Sequence, residues 1–197
     1  MAKSVYKEFG PGVTSKVKNL AIGIDQSYSG FGITVMDVDS EAYKTVVFKG
    51  EGIGVDRLLD INQKLSEFLN TNLPDKPKTI TAAMEGYAFG SQMAHMAGEL
   101  GAVVKLTLRM GLQFGAFDCR YPLIVPPTML KKYVVGKGTG VQKNQILLNV
   151  FKKWHVEFND DNAADSYALA RIAAGKANQV YEKEVIEKLH DPKFREK

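Results

Sequence analysis

Residues 20–38, LAIGIDQSYSGFGITVMDV, decide the fold. The first five residues are apolar or glycine and predict a buried strand that ends at the carboxylate of Asp25. A polar turn at 26–30 follows, and the apolar residues 31–36 predict a second strand. A carboxylate at the end of a buried strand needs a compensating partner. A bound cation or the backbone N–H groups of the turn would serve, and at this point both interpretations stay open.

The composition is that of one soluble globular domain. The chain has 197 residues and a net charge of +4, a mild basic excess that favours a polyanionic partner only weakly. Its single cysteine, Cys119, excludes an intramolecular disulfide and fits a reducing compartment. No apolar run reaches the roughly 18 residues of a membrane helix, and the N-terminus lacks the apolar core of a signal peptide. We expect a cytoplasmic protein with no membrane partner.

Strands and helices alternate along the rest of the chain. A three-stranded meander followed by such alternation predicts an α/β fold, a mixed five-stranded sheet flanked by helices, in the order of an RNase H-like domain. The further predicted elements are a strand at 43–49, a helix at 55–69 with Asp56 as a possible N-cap, a strand at 79–84, a helix at 90–111, a strand at 121–125, a helix at 144–154 and a last core helix from near Asp160.

The two ends of the chain differ from this core. Residues 1–18 are basic and contain Gly10-Pro11-Gly12, which predicts a flexible N-terminal arm. Residues 176–197 are charge-rich with a thin apolar stripe, which predicts a solvated helical C-terminal extension. The folded domain is therefore expected to span residues 19–175.

Four acidic residues point to a metal site: Asp25, Glu85, Asp161 and Asp165. Asp25 and Glu85 each follow a predicted strand, and the other two lie four residues apart on one helix face. Converging carboxylates repel one another without cations, and oxygen ligands select Mg²⁺ or Mn²⁺. Two such ions about 4 Å apart can hydrolyse a phosphodiester. For either helical aspartate alone, capping and dipole compensation explain the residue better.

The segment 131–143, KKYVVGKGTGVQK, is basic and rich in glycine. It is not a phosphate-binding P-loop, because Lys131 stands where that motif requires its first glycine. A flexible loop carrying Lys131, Lys132, Lys137 and Lys143 suits contact with a nucleic-acid backbone. A solvated loop explains the composition equally well.

Taken together, these segments resemble the RuvC family of Holliday junction resolvases, in the RNase H-like superfamily. The resemblance covers roughly residues 21–175 and rests on GIDQSYSGFGI, MEGYAF, KKYVVGKGTGVQKNQI and NAADSYALA. It implies a homodimer that binds four-way DNA junctions in recombination and repair and cuts two opposed strands. The cleavage would use Mg²⁺, with two ions in each site and Mn²⁺ as a substitute, and would leave ligatable ends.

The resemblance also assigns roles to residues. Family catalytic positions fall on Asp25, Glu85 and Asp165, and the two basic residues near the scissile phosphate match Lys131 and Lys143.

This sequence departs from the family at two places. The family has an acid or histidine where this chain has Asn162, so we predict Asp161 as the fourth metal ligand, with Asn162 or Asp160 as alternatives. The junction-opening aromatic is replaced by alanine, so Tyr87 or Phe89 would contact the DNA instead. The two terminal extensions are more typical of a phage-encoded member than of a bacterial housekeeping one.

Other functions remain open on the sequence. A catalytically silent module that binds branched nucleic acid would have the same fold. An actin-like or sugar-kinase ATPase is suggested by the turn after Asp25, but that superfamily duplicates its domain and no second copy is found here.

The helix at 90–111, rich in methionine and small residues, is the predicted dimer interface.

Overall fold

The computed structural model describes residues 17–74, 78–86, 94–111 and 122–195. Its five-stranded sheet has the order β3-β2-β1-β4-β5, with β1, β2 and β3 antiparallel and β1, β4 and β5 parallel. The predicted mixed five-stranded sheet is therefore confirmed. The strands are β1 Asn19–Asp25, β2 Phe31–Asp37, β3 Tyr43–Phe48, β4 Thr79–Glu85 and β5 Leu123–Val125.

Helices cover both faces of this sheet. One face packs against α1 and α2, and the other packs against α3, α4, α5 and α6, each face with its own apolar core. Within the described ranges no helix is long and apolar enough to cross a membrane. The helices are α1 Val55–Asn72, α2 Ala94–Gly111, α3 Pro127–Val135, α4 Lys143–Trp154, α5 Asp161–Ala173, α6 Val180–His190 and α7 Pro192–Arg195.

Helix α5 lies unusually close to the sheet. A Cβ atom on Gly23 would come within 2.0 Å of the Ser166 carbonyl oxygen, and one on Gly32 within 2.3 Å of the Asn162 carbonyl oxygen. Only glycine fits at either position, because the backbone of α5 occupies that space. Gly32 pairs with Asp25 across the β1–β2 ladder, so the first turn of α5 lies at the carboxyl end of β1.

Two local predictions were wrong. The flexible loop predicted from Lys131 begins later, because a helix that starts at Pro127 includes Lys131 and Lys132. Proline suits a first helical turn because its fixed φ is already helical and its missing N–H needs no partner there. The N-cap of α1 is Gly54, so Asp56 lies inside the first turn.

The C-terminal segment is helical, but it is not solvated as the sequence predicted. Val185 and Leu189 of α6 are each 1% exposed and belong to the core that α3, α4 and α5 also form. The apolar stripe in this charged tail therefore covers the core. The basic arm at 1–18 lies outside the described residues apart from Val17 and Lys18.

Candidate active site

The register of the sheet brings Asp25 and Glu85 to the same edge. Strands β1 and β4 are parallel neighbours, with Ile24 opposite Met84, and the next residue of each strand is a carboxylate. Ile24 and Met84 pack into the core under α1 and α2. Because side chains alternate along a strand, both carboxylates belong to the opposite face, the one that α5 covers.

Helix α5 contributes the remaining acidic residues. Asp160 is its N-cap, and Asp160 Oδ1 accepts hydrogen bonds from the backbone N–H groups of Asn162 and Ala163 at 2.8 and 3.2 Å. The Asn162 side chain donates to the same oxygen at 3.0 Å. Asp161 lies in the first turn of the helix, and Asp165 lies one turn later.

One pocket of about 270 Å³ collects the predicted site residues. Its lining includes all four predicted acidic residues and two of the predicted lysines: Asp25, Glu85, Asp161, Asp165, Lys131 and Lys143. The arrangement is an acidic centre with two cationic side chains beside it, which is suited to holding cations and a phosphate.

Asp25 is buried, and Glu85 beside it is half-buried. Burial raises the pKa of Asp25 well above its usual range, and the charges of Glu85 and Asp165 raise it further. Burial also raises the pKa of Glu85, although a hydrogen bond with Asp25 and the nearby Lys131 oppose that rise. Two carboxyl groups this close repel each other when both are ionised, and burial strengthens that repulsion.

Asp165 is the third member of this cluster. Burial, together with the charges of Glu85 and Asp161, raises the pKa of Asp165 to about 7. Its Oδ1 atom is buried and has no hydrogen-bond partner among the described residues. A buried carboxylate oxygen without a partner is costly, and a cation is the ligand that best satisfies it.

The donor chemistry of the pocket fits Mg²⁺ or Mn²⁺, since every acidic group offers hard oxygen atoms. Over the described part of the chain, however, no three histidine, cysteine, aspartate or glutamate side chains are arranged as ligands of a single ion. One of the four acidic side chains, Asp161, forms an ion pair with Lys143.

The predicted lysines separate into two groups. Lys143, at the start of α4, has a largely exposed side chain, and its ion pair with Asp161 raises its pKa. Lys131 is half-buried and lines the same pocket. Lys132 lies outside the pocket and pairs with Glu184 of α6 at 2.8 Å.

The other residues predicted to contact DNA do not line this pocket or lie outside the described residues. Lys137 is exposed in the loop at 136–142 and does not line the pocket. Tyr87 and Phe89 lie outside the described residues.

Sequence reasoning missed the role of Gln26. Its Nε2 donates to the backbone oxygen of Glu85 at 2.8 Å, which ties the end of β4 to the turn after β1. Its other side-chain atom, Oε1, is buried without a hydrogen-bond partner among the described residues. The only available signal was its position directly after Asp25, because no spacing rule marks a single amide.

The fold matches solved structures of Thermus thermophilus RuvC. One matches with a TM-score of 0.54 and 21% identity over 77% of this chain and 90% of that chain. Another, a complex with a Holliday junction substrate, gives a TM-score of 0.55 and 16% identity over 77% and 89%. A yeast mitochondrial Holliday junction resolvase matches at a TM-score of 0.46 and 14% identity, over 91% and 83%. No protein-family model and no curated protein matches the sequence. The chain therefore has the RNase H-like α/β fold of RuvC.

Proposed function

We propose that this chain is a Mg²⁺-dependent endonuclease of the RuvC type that resolves Holliday junctions or other branched DNA. The observation that carries the proposal is the pocket in which Asp25, Glu85 and Asp165 meet, next to Lys131 and Lys143. Three separate elements, β1, β4 and α5, supply those carboxylates. The sequence resemblance supports the same assignment at Asp25, Glu85 and Asp165, and a protein of the same fold has been solved with a Holliday junction.

Asp25, Glu85 and Asp165 would hold the metal ions, with Asp161 as the fourth ligand. Asp161 is preferred because its carboxylate lines the pocket, whereas Asp160 caps the helix outside that lining and Asn162 offers only a neutral amide. When bound, two ions would activate a water molecule and stabilise the leaving oxygen. Mn²⁺ would substitute for Mg²⁺, because it accepts the same oxygen ligands.

The chain's own residues would bind and orient the DNA strand. Lys131 and Lys143 would donate charge-assisted hydrogen bonds to the scissile phosphate. Asp161 forms an ion pair with Lys143 beside the pocket. The phosphate would replace Asp161 as the partner of the Lys143 ammonium group. A water oxygen would bond to phosphorus as the bond to the sugar oxygen breaks. A proton lost by that water would end on the leaving sugar oxygen, which leaves one phosphate end and one hydroxyl end.

Two opposed cuts require two sites, so we propose a homodimer related by a two-fold axis. Helix α2 exposes Leu106 and Met110, which are 60% and 65% accessible in the single chain. Burying these side chains against a second α2 would stabilise the dimer. Sedimentation at micromolar concentration should give the mass of two chains, and a single-chain mass both with and without DNA would contradict the proposal.

The direct test compares four-way, three-way, flap and linear DNA in the presence of Mg²⁺. The wild-type protein should cut branched DNA, Asp165→Asn should bind but not cut it, and Glu157→Gln should behave as wild type. Glu157 is the matched control because it is an exposed carboxylate outside the pocket. Binding without cleavage in Mg²⁺ or Mn²⁺ would instead identify a catalytically silent module. Equal hydrolysis of linear DNA by the wild type and Asp165→Asn would refute the assignment.

A further inference from the structure

A second cavity, here called the side cavity, lies next to the acidic pocket. It has a volume of about 420 Å³ and is lined by the turn at 26–29, by Arg57 of α1 and by Met96, Ala97 and Leu100 of α2. Gln26 and Ser27 line both cavities. Whatever occupies the side cavity would therefore lie beside a molecule bound at the carboxylates.

Two planar side chains in this cavity are held in place. The Tyr28 hydroxyl donates to the Met96 carbonyl oxygen at 3.1 Å, and Arg57 Nε donates to the Gly52 carbonyl oxygen at 2.9 Å. The Arg57 guanidinium carbon lies 5.9 Å from the centre of the Tyr28 ring. A fixed aromatic ring and a fixed guanidinium are the two groups on which unstacked bases stack in proteins.

The polar atoms of the cavity offer hydrogen bonds to a ligand edge. Gln26 holds the wall between the two cavities in place, since its Nε2 donates to the Glu85 backbone oxygen. The hydroxyls of Ser27 and Ser29 lie 3.1 Å apart and can each accept or donate. A ring N–H or an exocyclic amine could donate to either serine hydroxyl.

The charge and size of the cavity narrow the ligand class. Its described lining contains one cation, Arg57, and no carboxylate, in contrast to the acidic pocket. Its volume falls within the roughly 300–1,000 Å³ of small-molecule sites. The apolar side chains of Met96 and Leu100 suit a flat, uncharged group with a polar edge, and a nucleobase has this chemistry.

We propose that the side cavity binds an unpaired nucleobase of the strand whose phosphate enters the acidic pocket. The base would stack against Tyr28 and Arg57 and present its polar edge to Ser27 and Ser29. Because the four bases differ in that edge, the cavity would set the sequence preference of cleavage. The inference rests on the proposed function, since it requires branched DNA at the carboxylates.

The test measures base stacking without cleavage. The fluorescent base 2-aminopurine is placed at successive positions around the branch point of a four-way junction, and the protein is added in EDTA. The emission should change on binding at one position of the strand. Tyr28→Leu and Arg57→Gln should abolish that change, whereas Tyr28→Phe should keep it. Lys44→Gln is the matched loss of charge, because Lys44 is exposed on β3 and lies outside the cavity.

A second arm uses junctions with an abasic site at that position. Wild-type binding should weaken roughly 5- to 150-fold, the range expected for loss of one stacked base. Tyr28→Leu should bind intact and abasic junctions almost equally. If Tyr28→Leu fails to fold, Arg57→Gln carries the same comparison.

The outcomes separate the two proposals. Junctions that are bound and cut without any position-specific signal, or that lose affinity equally in the wild type and Tyr28→Leu, would overturn the side-cavity inference alone. A wild-type protein that neither binds nor cuts branched DNA would overturn the proposed function, and the inference with it.

Discussion

Charged side chains cluster at both ends of α5, but they repel one another near its start and form ion pairs near its end. Near the start of the helix, Asp25, Glu85 and Asp165 form a cluster of like charge, in which burial raises the pKa of each. Near its end, Arg171 forms an ion pair with Glu41 at 2.8 Å, and Lys176 pairs with the same carboxylate at 3.1 Å. The first group is poorly compensated in the chain alone, and the second is compensated.

A neighbouring pair extends the compensated region. Glu182 of α6 is 1% exposed, forms an ion pair with Lys153, and accepts the backbone N–H groups of Asn178 and Gln179 at 2.6 and 2.9 Å. Burial acts to raise the pKa of Glu182, but these partners outweigh it and lower the pKa. Carboxylates therefore stabilise the fold near the end of α5, where they have cationic partners, and destabilise it near the start, where they repel one another. Uncompensated charge in a pocket is typical of a functional site.

The largest expected difference between the two ends is in catalysis. Asp165→Asn should lower the rate of junction cleavage by about 10³-fold, the effect of removing one preorganised electrostatic group. Glu182→Gln should leave the rate of the folded protein unchanged. Single-turnover cleavage at saturating enzyme measures both, and affinity for the junction should hold or rise in Asp165→Asn. Loss of junction binding in that variant would contradict the assignment.

The second difference is in stability. Glu182→Gln should lower the free energy of unfolding by about 3 kcal/mol, because it leaves Lys153 without its buried partner. Urea denaturation measures the change, and Glu184→Gln is the matched control. Glu184 sits two residues along the same helix in a surface pair with Lys132, so its loss should cost less than about 1 kcal/mol. Equal effects of the two substitutions would contradict the contrast.

The third difference is the sign of the pH dependence. The raised pKa values of Asp25 and Asp165 mean that the folded state retains protons that the unfolded state has released. In EDTA, the contribution of Asp165 to stability is full below about pH 4 and is lost as the pH rises through about 7, and that of Asp25 is lost in the same direction. The lowered pKa of Glu182 has the opposite effect, because its contribution is lost as the pH falls below about 4.

Urea midpoints between pH 3 and 8 should resolve these two effects. Asp165→Asn should flatten the decline between pH 4 and 7, and Glu182→Gln should flatten the loss at low pH. A decline between pH 4 and 7 that is as steep in Asp165→Asn as in the wild type would show that the deprotonation of Asp165 does not cause the loss of stability.

The smallest expected effect distinguishes two adjacent lysines. Lys131→Ala should lower the cleavage rate by about 10- to 100-fold, since a charge-assisted hydrogen bond contributes ~1.5–3 kcal/mol. Lys132→Ala should change the rate less than about threefold, because Lys132 pairs with Glu184 outside the pocket. Single-turnover rates of the two variants give the comparison. A larger loss in Lys132→Ala would place the DNA on the other face of α3.

The acidic end of α5 was predictable from the sequence because its geometry follows from local patterns. Asp25 and Glu85 each follow an apolar strand, and parallel neighbours bring such residues to one edge. Asp161 and Asp165 share a helix face through their spacing alone. The charged pairs at the other end were not predictable, because Arg171 and Glu41 are 130 residues apart in sequence.

The wrong predictions for the loop from Lys131 and for the charged tail have the same cause. The basic, glycine-rich composition of 131–143 predicts a loop, but its first residues are helical because they continue a helix that packs through Leu130, Tyr133 and Val134. In the charged tail, Glu182 appears solvated until its partner Lys153, from another helix, is known. Sequence spacing reports local geometry, whereas burial of a charge depends on a partner elsewhere in the chain.

The most direct test of the account is the thermal stability of the wild type and Asp165→Asn with and without Mg²⁺ at pH 8. In EDTA, Asp165→Asn should be the more stable protein, because one of the repelling carboxylates is gone. Mg²⁺ should stabilise the wild type by about 2.7 kcal/mol at a hundred times its dissociation constant and should stabilise the variant much less. The difference between the two melting temperatures should therefore become smaller, or its sign should reverse. If Mg²⁺ shifts both proteins equally, or neither, the acidic pocket is not a metal site and the account is wrong.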